Sequence, residues 1–549
     1  MEDTASKPGA HEVEFNALHP TLSEDTQPVD SKHVAGTTLL SANIRKTIKP
    51  LTMLAICFNI CSSWAGLATS VQIALLQGGP MTLIYGILLT TVIYLGIALL
   101  LAELASIYPT AGGQYHFTSI LAPERTSRGF SYVCGFITAF YWIGMGAGVS
   151  IITSYQIVAL ANYYDEGSLS HRWQLFLIYQ ALAFSVLLYN IFVIKSFPAT
   201  HTIGFVLSIS LFIIMFVGLL ARSEPKATNT FVWDSFINVT GWPDGVTFMT
   251  GLLTPFFMYC GLDGALHLTE EADKPRIVVP RVCVGVIIVG FCTAFPFAIA
   301  ILYSISDFEA LATSTGWIPF EINQQGFRSD TAAVTLLIAG TILGFFILNA
   351  TVQGSSRVVW AFARDQGFAF SSTLSIIHPG LDVPVWALLL NWSLLAALGF
   401  LILASSVGTL SCRKQPPFPS VKSPLLLNTP LTFVFTAFNA IISSTVVHQL
   451  LSFFIPFALL LYRRRSEDFL PRGRAFALPR WLGWTVNVAV TLVIPVLVTF
   501  FTFPPFLPVT GVNMNYTVVV LGIVLICGIL NWFLFARKHY QGPRMEWQL

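Results

Sequence analysis

The sequence predicts an all-α, polytopic membrane protein with twelve transmembrane helices. Three observations carry this expectation. Hydrophobic residues make up 54% of the 549 and charged residues only 10%, with a mean hydropathy of +0.71; a soluble domain carries about 25% charged residues. Charge-poor stretches of about 20 residues, the length a helix needs to cross a bilayer, recur along the chain. Lys and Arg gather at alternate ends of those stretches. A disordered chain, a collagen-like chain and a string of soluble domains are excluded. A net charge of +2 does not point to a nucleic-acid partner.

Residues 1–49 are polar, rich in Pro, Ser, Thr and His, and read as a disordered cytoplasmic tail. No cleavable signal peptide is expected, so the first span acts as its own insertion signal. Residues 51–102 carry no Asp, Glu, Lys or Arg, and Gly78-Gly79-Pro80 divides them into spans 1 and 2. Spans 3 to 5 follow at 129–164, 173–194 and 196–221. Span 6, at 245–267, holds one charge, Asp263. Spans 7 to 10 occupy 282–306, 331–356, 383–404 and 436–462. The stretch 481–536 is long enough for spans 11 and 12, broken at Phe503-Pro504-Pro505, and 537–549 is a second short tail.

Placing the N-terminus inside collects most of the cations there, among them Arg125, Arg128, Arg276, Arg357, Arg463 and Arg537. Few fall outside (Arg172, Arg222, Lys226, Arg328). Both termini are therefore expected in the cytoplasm; the plasma membrane is the expected location, with the vacuole left as the alternative. Asn238-Val-Thr240 then lies in an outer loop as an N-glycosylation acceptor. The eight cysteines sit mostly in apolar runs, as small core residues rather than a disulfide framework or metal site. The histidines are scattered, without the His pair and carboxylate that a membrane enzyme would need. No Gly-x-x-x-x-Gly-Lys-Ser/Thr phosphate loop occurs, which argues against an ATP-driven pump. No cofactor and no metal are expected.

Two spans carry signals of a broken helix. Span 1 contains Asn59-Ile-Cys-Ser-Ser-Trp-Ala-Gly-Leu-Ala-Thr69, and span 6 contains Thr254-Pro-Phe-Phe-Met-Tyr-Cys-Gly-Leu-Asp-Gly264. Interrupted segments at matching positions of two halves point to a transporter binding site. The plainer reading is close helix packing, for which Gly is common in membranes. Asp263 has two readings. It can be an N-cap for the inner half of span 6, a counter-ion for a substrate ammonium beside Trp64 and Tyr259, or both.

At the inner ends of spans 2 and 6 the chain resembles a known family. Glu103 with Tyr108-Pro-Thr-Ala-Gly-Gly-Gln-Tyr115 is similar to the signature of the amino acid–polyamine–organocation transporters. Ser63-Trp-Ala-Gly66, Asp263 with His267, Glu270-Glu271 with Pro280-Arg281, and Trp360-Ala-Phe-Ala-Arg-Asp-Gln-Gly367 resemble the fungal amino acid, GABA and choline permeases. The resemblance implies a leucine-transporter-like fold. Two inverted five-helix repeats, 50–221 and 245–462, would be followed by two extra helices in 481–536. It implies alternating-access transport of a small amine-bearing solute, such as an amino acid, GABA or choline, usually driven by protons. By position, the substrate would meet Ser63, Trp64, Ala65, Gly66 and Leu67 of span 1. In span 6 it would meet Tyr259, Gly261, Leu262, Asp263 and Gly264. Tyr141, with Trp142, would add a wall from span 3, and Asn349, with Thr351, a polar face from span 8. Glu103 and Glu270 would serve in gating or proton relay. Span 5 lacks the lysine that one variant of the family uses in place of sodium.

Residues 408–435, rich in Pro, Ser and Lys, depart from this pattern and are expected to be either a retained intron or a genuine outer loop. A transporter-like nutrient sensor that signals through its tail is the competing function.

Overall fold

The computed structural model describes residues 48–165, 167–193, 197–314, 316–404, 431–511 and 513–543. It is almost wholly helical. In chain order the helices are α1 Pro50–Cys61, α2 Ser63–Leu76, α3 Gly79–Ile107, α4 Gln114–Leu121, α5 Glu124–Tyr164, α6 Arg172–Phe192 and α7 Phe197–Arg222. Next come α8 Asn229–Asp234, α9 Asp244–Gly251, α10 Leu253–Phe257, α11 Gly264–His267, α12 Pro275–Ser304, α13 Phe308–Thr313 and α14 Ile318–Phe327. The rest are α15 Asp330–Arg364, α16 Ser371–Leu374, α17 Val385–Ala404, α18 Leu431–Tyr462, α19 Arg480–Phe501, α20 Thr517–Asn531 and α21 Arg537–His539. No strand occurs among the described residues; two isolated bridges join Ile48 to Ala272 and Gln77 to Asn238.

Eleven of the described helical segments are long and apolar enough to cross a membrane. The expected span 6 is present not as one helix but as three short ones, α9, α10 and α11. The chain is thus an integral, multi-pass membrane protein. Its spans run alternately between two ends, here called near (where α1 begins) and far.

Helix α5 is the central post. It packs against α15 and α18 along most of its length. Small residues permit that approach: a Cβ on Gly144 would stand 2.8 Å from Thr445 Oγ1, and one on Gly135 2.5 Å from the Phe362 ring. In lipid, where apolar burial gives little drive, such close van der Waals contact is what holds helices together. At the periphery, α20 turns Val518, Val519, Ile523, Leu525 and Ile526 outward, an apolar face suited to the bilayer.

Two expected boundaries differ from the structure. The expected N-terminal tail 1–49 ends early. Ile48 is buried and its N–H donates to Glu271 O, while its carbonyl accepts from Asp273 N–H. Of the expected insert, 408–430 lies outside the described residues, and 431–435 already belongs to α18. At the far end, the Asn238 side-chain amide donates to Trp242 O and Asp244 Oδ1, so the acceptor nitrogen is engaged within its own turn.

Candidate functional site

Span 1 breaks at one residue. Ser62 has φ 40 and ψ 51, a left-handed conformation that ends α1 and starts α2. A non-glycine residue there is uncommon, and it leaves the first N–H groups of α2 without helical partners. No side chain caps them. The hydroxyls of Ser62 and Ser63 are both buried and make no hydrogen bond within the protein. On one side of this break is a cavity of about 100 Å³. Ser62, Trp64, Ala65, Gly66, Met145, Phe257 and Phe297 line its inner part, and Trp317 and Asn323 line it toward the far end. No charged side chain lines it. Trp64 is fixed by its Nε1, which donates to Ser208 Oγ in α7 at 3.0 Å, and by the rings of Phe297 and Phe212 at 5.3 and 6.0 Å.

Span 6 breaks over Met258–Asp263, between α10 and α11. Gly261 turns the chain at φ 90, a region that only glycine enters at low cost. Its N–H donates to Tyr141 Oη at 2.6 Å. The amide of Gln449 in α18 reaches the same oxygen at 3.1 Å. Tyr94 Oη donates to Gln449 Oε1, and Tyr259 Oη meets Thr91 Oγ1 at 2.8 Å. Asp263 is fully buried at the centre of this assembly. Four side chains reach its carboxylate: Gln114 Nε2 at 2.6 Å, Tyr141 Oη at 3.0 Å, Trp142 Nε1 at 3.1 Å and His267 Nε2 at 3.1 Å. Nearby His116, in α4 between spans, is different. Burial and the neighbouring Arg364 push its imidazole down to about 3, and its Nδ1 meets Thr110 Oγ1 at 2.9 Å.

The sequence-derived residues thus divide. Trp64, Ala65 and Gly66 line the cavity. Ser63 and Leu67 are buried beside the break but not in its lining. Tyr259, Gly261, Leu262 and Asp263 lie in the second break, Gly264 begins α11, and Tyr141 braces the turn; none lines the cavity. The N-cap reading of Asp263 does not hold, because its side chain makes no cap hydrogen bond to α11. Nor do Trp64 and Tyr259 flank it: Trp64 is tied to α7 and Tyr259 to α3, and the aromatic groups on the carboxylate are Tyr141 and Trp142. Asn349 accepts from Asn190 Nδ2 at 2.8 Å, away from the cavity, and Thr351 bonds back to Ile347 O.

Glu103 and Glu270 sit at the near end. Glu103 is fully buried and paired with Arg465 and Arg474, and Glu270 takes Arg364 in a two-pronged contact at 2.9 and 3.1 Å. With the Glu271–Arg357 pair and the Ile48–Ala272 bridge, these contacts tie the segments before α1, after α11 and after α18 to α3 and α15 at that end. Sequence reasoning missed Ser62, Gln114, Ser208 and Gln449. Gln114 lies in the quoted signature and could have been singled out as a polar residue beside two glycines. Ser62 lay inside the marked segment of span 1, one residue before those chosen, while Ser208 and Gln449 sit in apolar helices with no pattern to mark them.

The comparisons agree with this geometry. The family model for the amino acid permeases matches residues 48–526. The choline transporter of Saccharomyces cerevisiae is 30% identical over 530 residues, covering 94% of this chain and 87% of that protein. A putative amino acid/polyamine transporter of Macrophomina phaseolina is 30% identical, covering 85% and 96%. In fold, the crystal structure of MhsT in complex with L-phenylalanine superposes with a TM-score of 0.53 at 15% identity, covering 82% of this chain and 97% of that one. The architecture is therefore that of a leucine-transporter-like protein, and the relatives are permeases rather than enzymes. This chain belongs to the amino acid permease family of the amino acid–polyamine–organocation superfamily.

Proposed function

We propose that this protein is a secondary active permease of the plasma membrane, with both termini cytoplasmic. It moves a small organic amine by alternating access, with a proton as the coupling ion. Residues 50–221 and 245–462 act as its two five-helix repeats, and 481–536 supplies two further helices. The observation that carries the reading is the open break of span 1. There an uncapped helix start and the unpartnered Ser62 hydroxyl meet a cavity walled by aromatic rings and without a charged side chain. A helix amino end attracts a carboxylate or hydroxyl oxygen. Aromatic faces attract a desolvated ammonium by about 2 kcal/mol. Choline fits that pairing, and it is the solute named for one relative. The closed near end, with a cavity leading to the far end, corresponds to a state loaded from outside.

The test is uptake by permease-deficient yeast expressing the full chain. Labelled choline, GABA and a set of amino acids would be supplied with and without a protonophore. Choline uptake abolished by the protonophore is the expected result. Absence of uptake for every solute, with the protein at the cell surface, would overturn the transport reading.

A further inference from the structure

The contact between Asp263 and His267 constrains a proton count. His267 Nδ1 lies 2.8 Å from the carbonyl oxygen of Ala111, and Nε2 lies 3.1 Å from Asp263 Oδ2. A carbonyl only accepts, so Nδ1 carries a hydrogen. A neutral imidazole has one N–H, so its Nε2 would then be a bare acceptor. A bare acceptor against a bare carboxylate is two lone pairs in contact in a site without water-sized exposure. The contact as it stands needs a second proton, on Nε2 or on Oδ2.

The other partners do not remove that requirement. Gln114 and Trp142 donate N–H groups to Asp263 but cannot fill the gap at Nε2. The Tyr141 hydroxyl accepts from Gly261 and Gln449, so its own hydrogen goes to Asp263 Oδ1. The titratable groups facing Asp263 from neighbouring elements are Cys57 and Cys61 of α1, Cys260 of the break itself, Cys283 of α12, Tyr94 of α3 and Tyr141 of α5. Its one ion-pair partner among the described residues is His267. The near-end carboxylates offer no such site. Glu103 and Glu270 are held by guanidinium groups, which do not give up a proton in proteins.

We propose that the proton shared by Asp263 and His267 is the proton that drives transport, and that its departure unlocks the span 6 break. This rests on the proton-coupled reading given above. With the proton present, α11 is tied through His267 to Ala111 and through Asp263 to Gln114 and α5. One proton arrives from outside and completes the contact. When it leaves to the inside, the neutral imidazole has one N–H for two acceptors, so His267 must give up either Ala111 or Asp263. Asp263 immediately precedes α11, His267 ends it and α5 carries Tyr141 and Trp142, so either loss loosens span 6 from its neighbours at the near end. A ligand shifts such an equilibrium only by its differential affinity for the two states, and this proton has that difference built into its binding contact.

The experiment uses the full chain in proteoliposomes with a trapped pH dye and labelled choline. His267→Gln keeps an N–H toward Asp263 that cannot be lost; Asp263→Asn removes the carboxylate. In the wild type, choline entry acidifies the lumen and an inward proton gradient drives accumulation. In His267→Gln, choline exchange at equal concentrations persists, while acidification disappears and the accumulation ratio falls to unity. Asp263→Asn gives the same uncoupling and stands in if His267→Gln does not fold. Should neither variant exchange choline, the wild type decides through infrared difference spectra on alkalinisation. A carboxyl or imidazole band lost with opening supports the proposal, and no such band overturns it. Full coupling in either variant overturns the site alone. A wild type that exchanges choline without acidification overturns the proton reading and this site with it. No choline exchange by a folded wild type overturns the choline reading, and the same proton assay is then run with GABA.

Discussion

The two helix breaks look alike in sequence and differ in what surrounds them. In span 1 the turn is one residue long, the buried hydroxyls of Ser62 and Ser63 have no partner, and a cavity lies alongside. In span 6 the turn is six residues long, and partners from α3, α4, α5 and α18 engage its polar groups. Buried polar groups left unpaired cost about 1–3 kcal/mol each. The first break therefore has an appetite for a ligand that the second has already satisfied from within the protein. An interrupted membrane helix can thus serve as a receptor or as a joint, and the hydrogen-bond inventory tells them apart.

Glycine substitutions should separate the two most sharply. A Cβ at Gly261 would stand 2.4 Å from Ile60 Cγ2 and 3.0 Å from Met145 Cε. The left-handed backbone adds about 1–2 kcal/mol for any L side chain, and overpacking about 1–3 kcal/mol more. Gly261→Val should abolish uptake and lower the yield of monodisperse protein in detergent. Gly66 is different, since its nearest neighbour, Met258 Cα, would be 3.6 Å from a new Cβ. Gly66→Ala should fold and transport. Gly66→Leu should fold, reach the membrane and fail to transport, because the larger side chain enters the cavity. Transport by Gly261→Val, or misfolding of Gly66→Leu, would erase the distinction between joint and receptor.

At the near end, Glu103 is fully buried between Arg465 and Arg474. Glu103→Gln leaves Arg465 and Arg474 without a counter-charge in a buried site. Breaking a buried pair from one side costs about 3–5 kcal/mol, which should appear as a clear drop in thermal stability and a shift toward the conformer open at the near end. The Glu467–Arg472 pair is an internal control. It is 62% and 85% exposed, and Glu467→Gln should leave the melting temperature unchanged. Equal effects from both substitutions would show that the buried Glu103 contacts contribute no more than an exposed pair.

Much of this was legible in the sequence, for physical reasons. Charge-poor stretches mark spans because lipid excludes charge, and Gly261 with Asp263 marks a break because neither suits a helix buried in hydrocarbon. The exact turn at Ser62 was not legible: serine is common inside membrane helices and has no intrinsic left-handed preference. The partners of Asp263 were legible only as candidates. Tyr141, Trp142 and His267 were named, but Gln114 comes from an element remote in the chain, as does Gln449, which braces Tyr141, and only packing brings them together. Asn349 reads like a site residue because a buried amide needs a partner. The partner was Asn190, equally isolated in its own apolar span.

The smallest expected effect concerns how Trp64 contributes to the open break. It lines the cavity with its ring and donates Nε1–H to Ser208 Oγ. The bond and the ring can be removed separately. Ser208→Ala removes only the acceptor, and Trp64→Phe removes the donor while keeping an aromatic face. A net hydrogen bond is worth about 0.5–1.5 kcal/mol, so each should raise the half-saturation constant for choline by less than about tenfold. Trp64→Leu removes the face as well, and a desolvated cation–π contact is worth about 2 kcal/mol. If the ring holds an ammonium, Trp64→Leu should therefore exceed Ser208→Ala clearly for choline. For a neutral solute of the same size the two should match. If Trp64→Leu and Ser208→Ala matched for choline too, Trp64 would be a packing residue between Phe212 and Phe297, and the ammonium would have to be held by other groups around the break.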